Sequence, residues 1–445
     1  MPTLIPVADA PLQRAYRAPA RAVPGMRAQP DGRFSLGYIF LLLCVVINFT
    51  GLGIVGLASV QPPIAVIVFR YLLWPAILVG AIPVLVSNGL SSLRSIAMLL
   101  PLWAIGIVAS FSGFALLISL RLMFFWSFGM LAAAVIGQRL SFVTAGRTLL
   151  AFYFLMVVAS IGTAYLFPDL GTQLDEHGKL NGAWSGLFAG KSAFGEILVY
   201  CSLFAVIVPR VPLLVRAIVL AATIVALYKA RSVGADIALV AACYYVVLTR
   251  LMNRLRLPDV IKSMLTLVTL LISGAVAAAA GSLALSLIGK DLTLSGRTQF
   301  WPAWFARALE SPILGFGPGA FTIGGSPVVV DLSARFESFG YIVTPHNMFI
   351  AVLGEVGIAG VLAFFLPLLY LALLMPYRLA TREALFAGAL AFVLLISGID
   401  ETRETLGLSI NTLLSFLFYT IALRSSNETT GPVAQAGPAV DAGAY

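Results

Sequence analysis

His346 stands in Thr344-Pro-His-Asn-Met-Phe349, where a long stretch of mixed polarity gives way to an apolar run. An imidazole exchanges its proton near neutral pH, so one placed at a water–lipid boundary suits a general base. Pro345 keeps the preceding residue out of helical geometry, which predicts His346 in the first turn of the helix that follows. A histidine at a helix start can also be a structural hydrogen-bonder. The only other histidine, His177 in Asp175-Glu-His-Gly-Lys179, reads as a solvated loop residue. Glu355 lies nine residues beyond His346, roughly 13 Å along a helix. That is too far for direct contact, and a bundle-facing polar role is expected instead.

A second kind of chemistry comes from cations. Lys191 closes Gly186-Leu-Phe-Ala-Gly-Lys, Arg231 lies in Lys229-Ala-Arg-Ser-Val-Gly-Ala-Asp236, and Arg297 lies in Ser295-Gly-Arg-Thr-Gln-Phe-Trp301. Guanidinium forks bind phosphate and carboxylate oxygens in pairs. Gathered at one surface, such groups make a seat for a lipid-linked phosphate or diphosphate. Any one of them could instead be neutralised by Asp236, Glu196 or lipid headgroups. The sequence has no Asp-x-Asp pair, HExxH, Walker loop or serine nucleophile elbow, so no metal, nucleotide donor or cofactor is expected. Gly315-Phe-Gly-Pro-Gly319 lacks the strand-then-helix setting of a dinucleotide site and reads as a turn. A lesser alternative has its amides facing an anion.

The elements that position these residues follow from composition. The 445 residues are 60% hydrophobic and 11% charged, against about 25% charged in soluble domains. This excludes a soluble enzyme, a coiled coil, a disordered scaffold and a nucleic-acid-binding domain. A bilayer span takes roughly 20 apolar residues. Apolar runs fall near 36–60, 62–86, 96–118, 122–138, 148–167, 192–209, 211–229, 234–249, 263–288, 346–375, 384–399 and 406–423. The expected fold is an all-α integral membrane protein of about twelve transmembrane helices. Cys44, Cys201 and Cys243 lie inside apolar runs and read as core-filling.

With the basic 1–34 tail in the cytoplasm, alternation puts Arg94, Arg139, Arg147, Arg210, the Arg250–Lys262 cluster, Arg378, Arg382 and Arg424 inside too. This agrees with the positive-inside rule and makes both termini cytoplasmic. The expected organisation is a disordered tail 1–34, a membrane domain 35–424 and a disordered tail 425–445. The net charge of +9 then reflects topology rather than a nucleic-acid partner. Outward-facing cations are few, namely Arg121, Lys179, Lys191, Lys229, Arg231, Lys290, Arg297, Arg307, Arg335 and Arg403. Two outward segments are long, 168–191 and 289–345. In the second, Phe300, Trp301, Trp304, Phe305, Ala308 and Leu309 share one helical face. They predict an amphipathic helix lying in the outer headgroup region, or equally one that caps the bundle. No internal repeat of the transporter type is evident.

Taken in order, Gly296-Arg-Thr-Gln-Phe-Trp301, Ser311-Pro-Ile-Leu-Gly-Phe-Gly-Pro-Gly319, Pro345-His-Asn-Met-Phe349 and Leu353-Gly-Glu-Val-Gly-Ile-Ala-Gly360 resemble the signature run of the O-antigen ligase and polymerase superfamily. Gly186-Leu-Phe-Ala-Gly-Lys191 is similar to the Gly-Leu-Phe-x-x-Lys-Asn stretch of its exopolysaccharide polymerases, with Ser192 in place of Asn. Lys229-Ala-Arg-Ser-Val-Gly234 resembles the family's Ser-Arg segment. The resemblance covers about 180–365.

It implies a GT-C-like glycosyltransferase of the bacterial inner membrane, acting at the periplasmic face without a metal and with inversion. The implied donor is an undecaprenyl-diphosphate-linked oligosaccharide, and the acceptor a glycan or lipid-linked hydroxyl. A chain-length regulator is a candidate partner. By position, His346 would be the base, Arg231 and Arg297 would hold the diphosphate, Lys191 would assist, and Asn347 and Glu355 would support. The polymerase-like stretch inclines the reading to a polysaccharide polymerase. An O-antigen ligase acting on lipid A–core is the alternative within the family, and a lipid-linked sugar transporter or flippase the alternative outside it.

Overall fold

The computed structural model describes residues 34–50, 52, 63–174, 180–287, 297–336, 344–399, 401 and 410–430. Twelve helices occupy the places of the twelve apolar runs: α1 Phe34–Phe49, α2 Ile64–Asn88, α3 Leu100–Phe111, α4 Leu116–Arg139, α5 Phe142–Leu166, α6 Lys191–Ile207, α7 Leu213–Ala230, α8 Val233–Arg254, α9 Asp259–Leu287, and then, after two short helices α10 Trp301–Ala308 and α11 Pro327–Arg335, α12 Met348–Leu369, α13 Arg382–Ser397 and α14 Ile410–Thr430. Seven helical segments among the described residues are long and apolar enough to cross a membrane. The protein is an all-α membrane protein.

Three boundaries differ from expectation. The third run ends at Phe111, and α4 begins at Leu116, so Arg121 lies inside a helix rather than in a loop. Helix α14 runs to Thr430, past the expected domain limit at 424. Segment 168–191 contains a two-stranded hairpin, β1 Thr172–Leu174 and β2 Leu180–Trp184, paired antiparallel.

Polar residues start and stop the helices. Ser141, Ser326, Asn347 and Thr381 each accept a bond from the amide three residues on, using donors that a helix start leaves open. Arginines treat the opposite ends. Arg139 donates to the Pro83 carbonyl at 2.6 Å, Arg216 to Val208 at 2.8 Å, and Arg424 to Gln138 and Leu140 at 2.6 and 3.0 Å. Arg147 donates to the Arg210 carbonyl. Of the cations expected inside, Arg139, Arg147 and Arg424 are thereby held on backbone carbonyls at one end of the bundle.

Lipid gives apolar side chains no reason to hide, so close packing must hold the helices together. Phe142, Phe204, Phe386 and Phe418 join α5, α6, α13 and α14 near the arginine end, with ring centroids 4.7–5.7 Å apart. A Cβ on Gly137 of α4 would stand 2.6 Å from the Thr420 Cβ, which is how closely α14 approaches. By contrast, Leu271, Ile272 and Val276 of α9 are exposed, as a lipid-facing surface should be.

Candidate active site

The opposite end of the bundle is built around a break in α12. Gly357 adopts φ 64°, ψ −170° inside this helix, a backbone conformation open to glycine and strained for other residues. The break frees backbone groups that the 311–319 loop takes up. Phe316 and Gly317 amides donate to the Gly354 and Glu355 carbonyls at 2.7 and 2.9 Å, and the Ile358 amide donates to Pro312 O at 2.8 Å. The Gly315–Gly319 segment is therefore the expected turn. The amides of Phe316 and Gly317 are spent on α12, which removes them from the alternative of an anion seat. Glu355 is fully buried and accepts from the Thr322 hydroxyl at 2.6 Å. It holds the segment that follows this loop against α12.

A Cβ on Gly357 would overlap the Ile313 carbonyl. Gly357→Ala is expected to destabilise the protein by at least about 1–3 kcal/mol, the usual cost of such a backbone strain. Gly274→Ala is the control, since nothing lies near a Cβ there. Thermal unfolding in detergent should separate the two, and equal midpoints would show that the break tolerates a side chain.

The first half of α12 is thereby a short rod whose free end carries Asn347 and His346. Asn347 is the N-cap, accepting from the Ile350 amide and donating to the Ile399 carbonyl, each at 3.1 Å. The Met348 amide donates to Gly398 O at 2.7 Å. An unsatisfied helix start thus docks on an unsatisfied helix end, joining α12 to α13. Asn347 has a structural duty beside any chemical one. His346 does not sit in the first helical turn as expected. It precedes the N-cap with φ 46°, because Asn347 rather than Pro345 sets the helix start.

That placement turns the imidazole toward Glu401, just past α13. Nδ1 stands 3.7 Å from Glu401 Oε2, with the side chains 36% and 15% exposed. Nδ1 itself is buried and has no hydrogen-bond partner, so the ring's exposed part is the side away from Glu401. A carboxylate behind one ring nitrogen and an open edge at the other is the arrangement a general base needs. Glu401 is the residue that sequence reasoning missed. It lies in Asp400-Glu-Thr-Arg-Glu404, a charged cluster at the end of an apolar run, where only Arg403 drew notice.

The cations are placed as follows. Lys191 opens α6, and Arg231 is the left-handed C-cap between α7 and α8, with φ 51°. A Cβ on Gly195, one turn after Lys191, would stand 2.9 Å from Ser232 Oγ and 2.6 Å from Ala235 Cβ. The helix ends carrying Lys191 and Arg231 are therefore in contact. Glu196 of the same turn accepts from Tyr200 at 2.7 Å and from Asn411 of α14 at 2.6 Å, which ties this corner to α14. Arg297 begins a short turn, Arg297–Gln299, leading into α10. The side chain of Arg297, like His177, Lys179, Lys290 and Arg403, lies outside the described residues. Arg307 pairs with Glu310, and Arg335 with Asp331 at 2.8 Å, so these two are locally neutralised.

Helix α10 does more than lie on a surface. Phe300, Trp304 and Ala308 are buried in a small core with Phe321, Val329, Leu332 and Ile350. The Trp301 indole donates to Pro345 O at 3.1 Å, beside His346. The remaining apolar residues of the expected stripe, Phe305 and Leu309, are 46% and 49% exposed. The helix thus caps α12 with one edge and leaves a second apolar edge uncovered.

The fold is that of a polytopic membrane protein, and His346, Lys191 and Arg231 lie toward one end of its bundle. Residues 217–365, about a third of the chain, match the family model described as O-antigen ligase, the superfamily that the motifs of this segment resemble. The match supports a membrane glycosyltransferase activity of that type, acting on lipid-linked glycans. Arg231, Arg297, His346, Asn347 and Glu355 fall inside the matched segment, whereas Lys191 and the polymerase-like Gly186–Lys191 stretch lie upstream. A comparison with curated proteins found no match.

Proposed function

We propose that the protein is an inner-membrane polysaccharide polymerase that transfers undecaprenyl-diphosphate-linked repeat units to a glycan hydroxyl at the periplasmic face. One observation carries the reading: an imidazole backed by a carboxylate lies at the bundle end where the Lys191 and Arg231 helix termini meet. In the proposed reaction the acceptor hydroxyl gives its proton to the open nitrogen of His346, and its oxygen attacks the anomeric carbon from the face opposite the diphosphate. The bond to the diphosphate breaks and the electron pair leaves with it. Arg231 and Arg297, with help from Lys191, stabilise that charge, and fixed cations of this kind do the work a metal does elsewhere. Asn347 and Glu355 hold the frame, the first by capping α12 and the second by clamping its loop. The arginine-capped end is cytoplasmic in this reading, and so are both termini.

The description of the matched family favours a second reading, transfer of the glycan to lipid A–core. Purified protein in liposomes, given a lipid-linked oligosaccharide with or without lipid A–core, distinguishes them. A ladder of products without lipid A–core supports the polymerase, and a single glycan–lipid A product supports the ligase. Movement of the donor across the bilayer with no new glycosidic bond would overturn both in favour of a flippase.

A further inference from the structure

Arg70 and Arg121 form a second cationic centre, which the chemistry proposed above does not use. Helices α2 and α4 lie side by side and run in the same direction, because the Trp74 ring packs on Phe125 at 5.0 Å and on Phe128 at 4.9 Å, while further along both helices Arg139 reaches the Pro83 carbonyl and Ser87 Oγ. One turn nearer the His346 end of the bundle, the same register brings Arg70 level with Arg121. Asn48, buried at the end of α1, accepts from Arg70 Nε at 3.1 Å and fixes that head group where the three helices meet. Arg121 is exposed and makes no ion pair among the described residues. Around the two cations, Val68, Tyr71, Leu117 and Phe124 are exposed apolar side chains, so this flank meets lipid.

Both arginines sit five or six residues inside their helices, roughly 8–9 Å below the helix ends. In a bilayer whose headgroups lie level with these helix ends, that depth is where lipid phosphates give way to acyl chains, and arginine stems can reach it while keeping their heads polar. Like charges held side by side repel, and an anion placed between them turns one repulsion into two attractions. Guanidinium groups match phosphate oxygens in geometry as well as charge.

We infer that Arg70, Arg121 and Asn48 form a lateral site for the phosphate head group of a lipid, reached from the bilayer along α2 and α4. The site adjoins the loop under α12. Ser119 donates to Pro318 O at 2.8 Å, and Leu122 packs against Gly319. Occupancy between α2 and α4 is thus one residue away from the segment that braces the broken helix.

The chemistry required is a phosphate ester on an apolar tail, which undecaprenyl phosphate and phosphatidylglycerol share. Native mass spectrometry of the detergent-purified protein, titrated with each of these and with diacylglycerol, tests it. Both phosphate lipids should be retained over diacylglycerol. Arg121→Gln should lower their retention about tenfold or more, the worth of a charged hydrogen bond. Arg70→Gln should do the same, and Arg121→Lys should fall between. A preference for undecaprenyl phosphate would mark a donor-lipid site, and equal retention of the two a general headgroup site; both uphold the inference. Should Arg70→Gln fail to fold once Asn48 loses its partner, the exposed Arg121 decides alone. Equal retention by wild type and Arg121→Gln, or equal retention of diacylglycerol, overturns the site.

Discussion

His346→Ala is expected to abolish product while the protein stays folded in the membrane. A positioned general base contributes about 10²–10⁴ in rate, enough to take a polymer below detection. The side chain is not a core element: it is 36% exposed and lies before the N-cap of α12, so its truncation leaves the Asn347 cap and the Met348–Gly398 bond in place. Product formation in liposomes, read beside the unfolding temperature, separates chemistry from folding. Glu401→Gln is expected to cost less, because it orients the ring and touches no substrate. The double variant should be no slower than His346→Ala, since groups acting through one another are not additive. Full activity in His346→Ala would end the assignment of the base. Losses that multiply would put Glu401 in a separate role.

The twelve helices and the sorting of arginines to one end were legible because both follow from local rules, namely apolar run length and charge near helix ends. That Glu355 is buried follows from its depth in an apolar run, while its partner Thr322 does not. Other features depend on contacts between distant segments. The break at Gly357 looks like one more glycine in an apolar run, and only the incoming 311–319 loop gives its freed carbonyls partners. His346 stands two residues ahead of the first helical residue rather than within the first turn, since Pro345 permits a helix start that Asn347 then delays. Glu401 was missed because it lies 55 residues from His346 in sequence, and the docking of α12 on the end of α13 brings them together. The apolar stripe of α10 was read correctly as a stripe. Which of its edges is covered depends on Phe321 and Leu332, beyond the reach of periodicity.

Arg231 offers the sharpest separation of charge from structure. It holds a left-handed C-cap conformation, the position where helices prefer glycine because a Cβ is strained there. A residue kept at this place for its backbone alone would be improved by Arg231→Gly. That variant should raise stability by about 0.4–1 kcal/mol, visible as a higher unfolding temperature. If the guanidinium stabilises a leaving diphosphate, the same variant should lower turnover by about 10²–10³. Arg231→Lys should recover part of that loss, since it restores a point charge without the planar fork, and Arg297→Ala and Arg297→Lys should repeat the pattern. A protein that becomes more stable and less active when one arginine is deleted has that arginine for its chemistry. Equal turnover for the Gly and Lys variants would mean that charge is not what position 231 supplies, and the diphosphate would have to be held elsewhere.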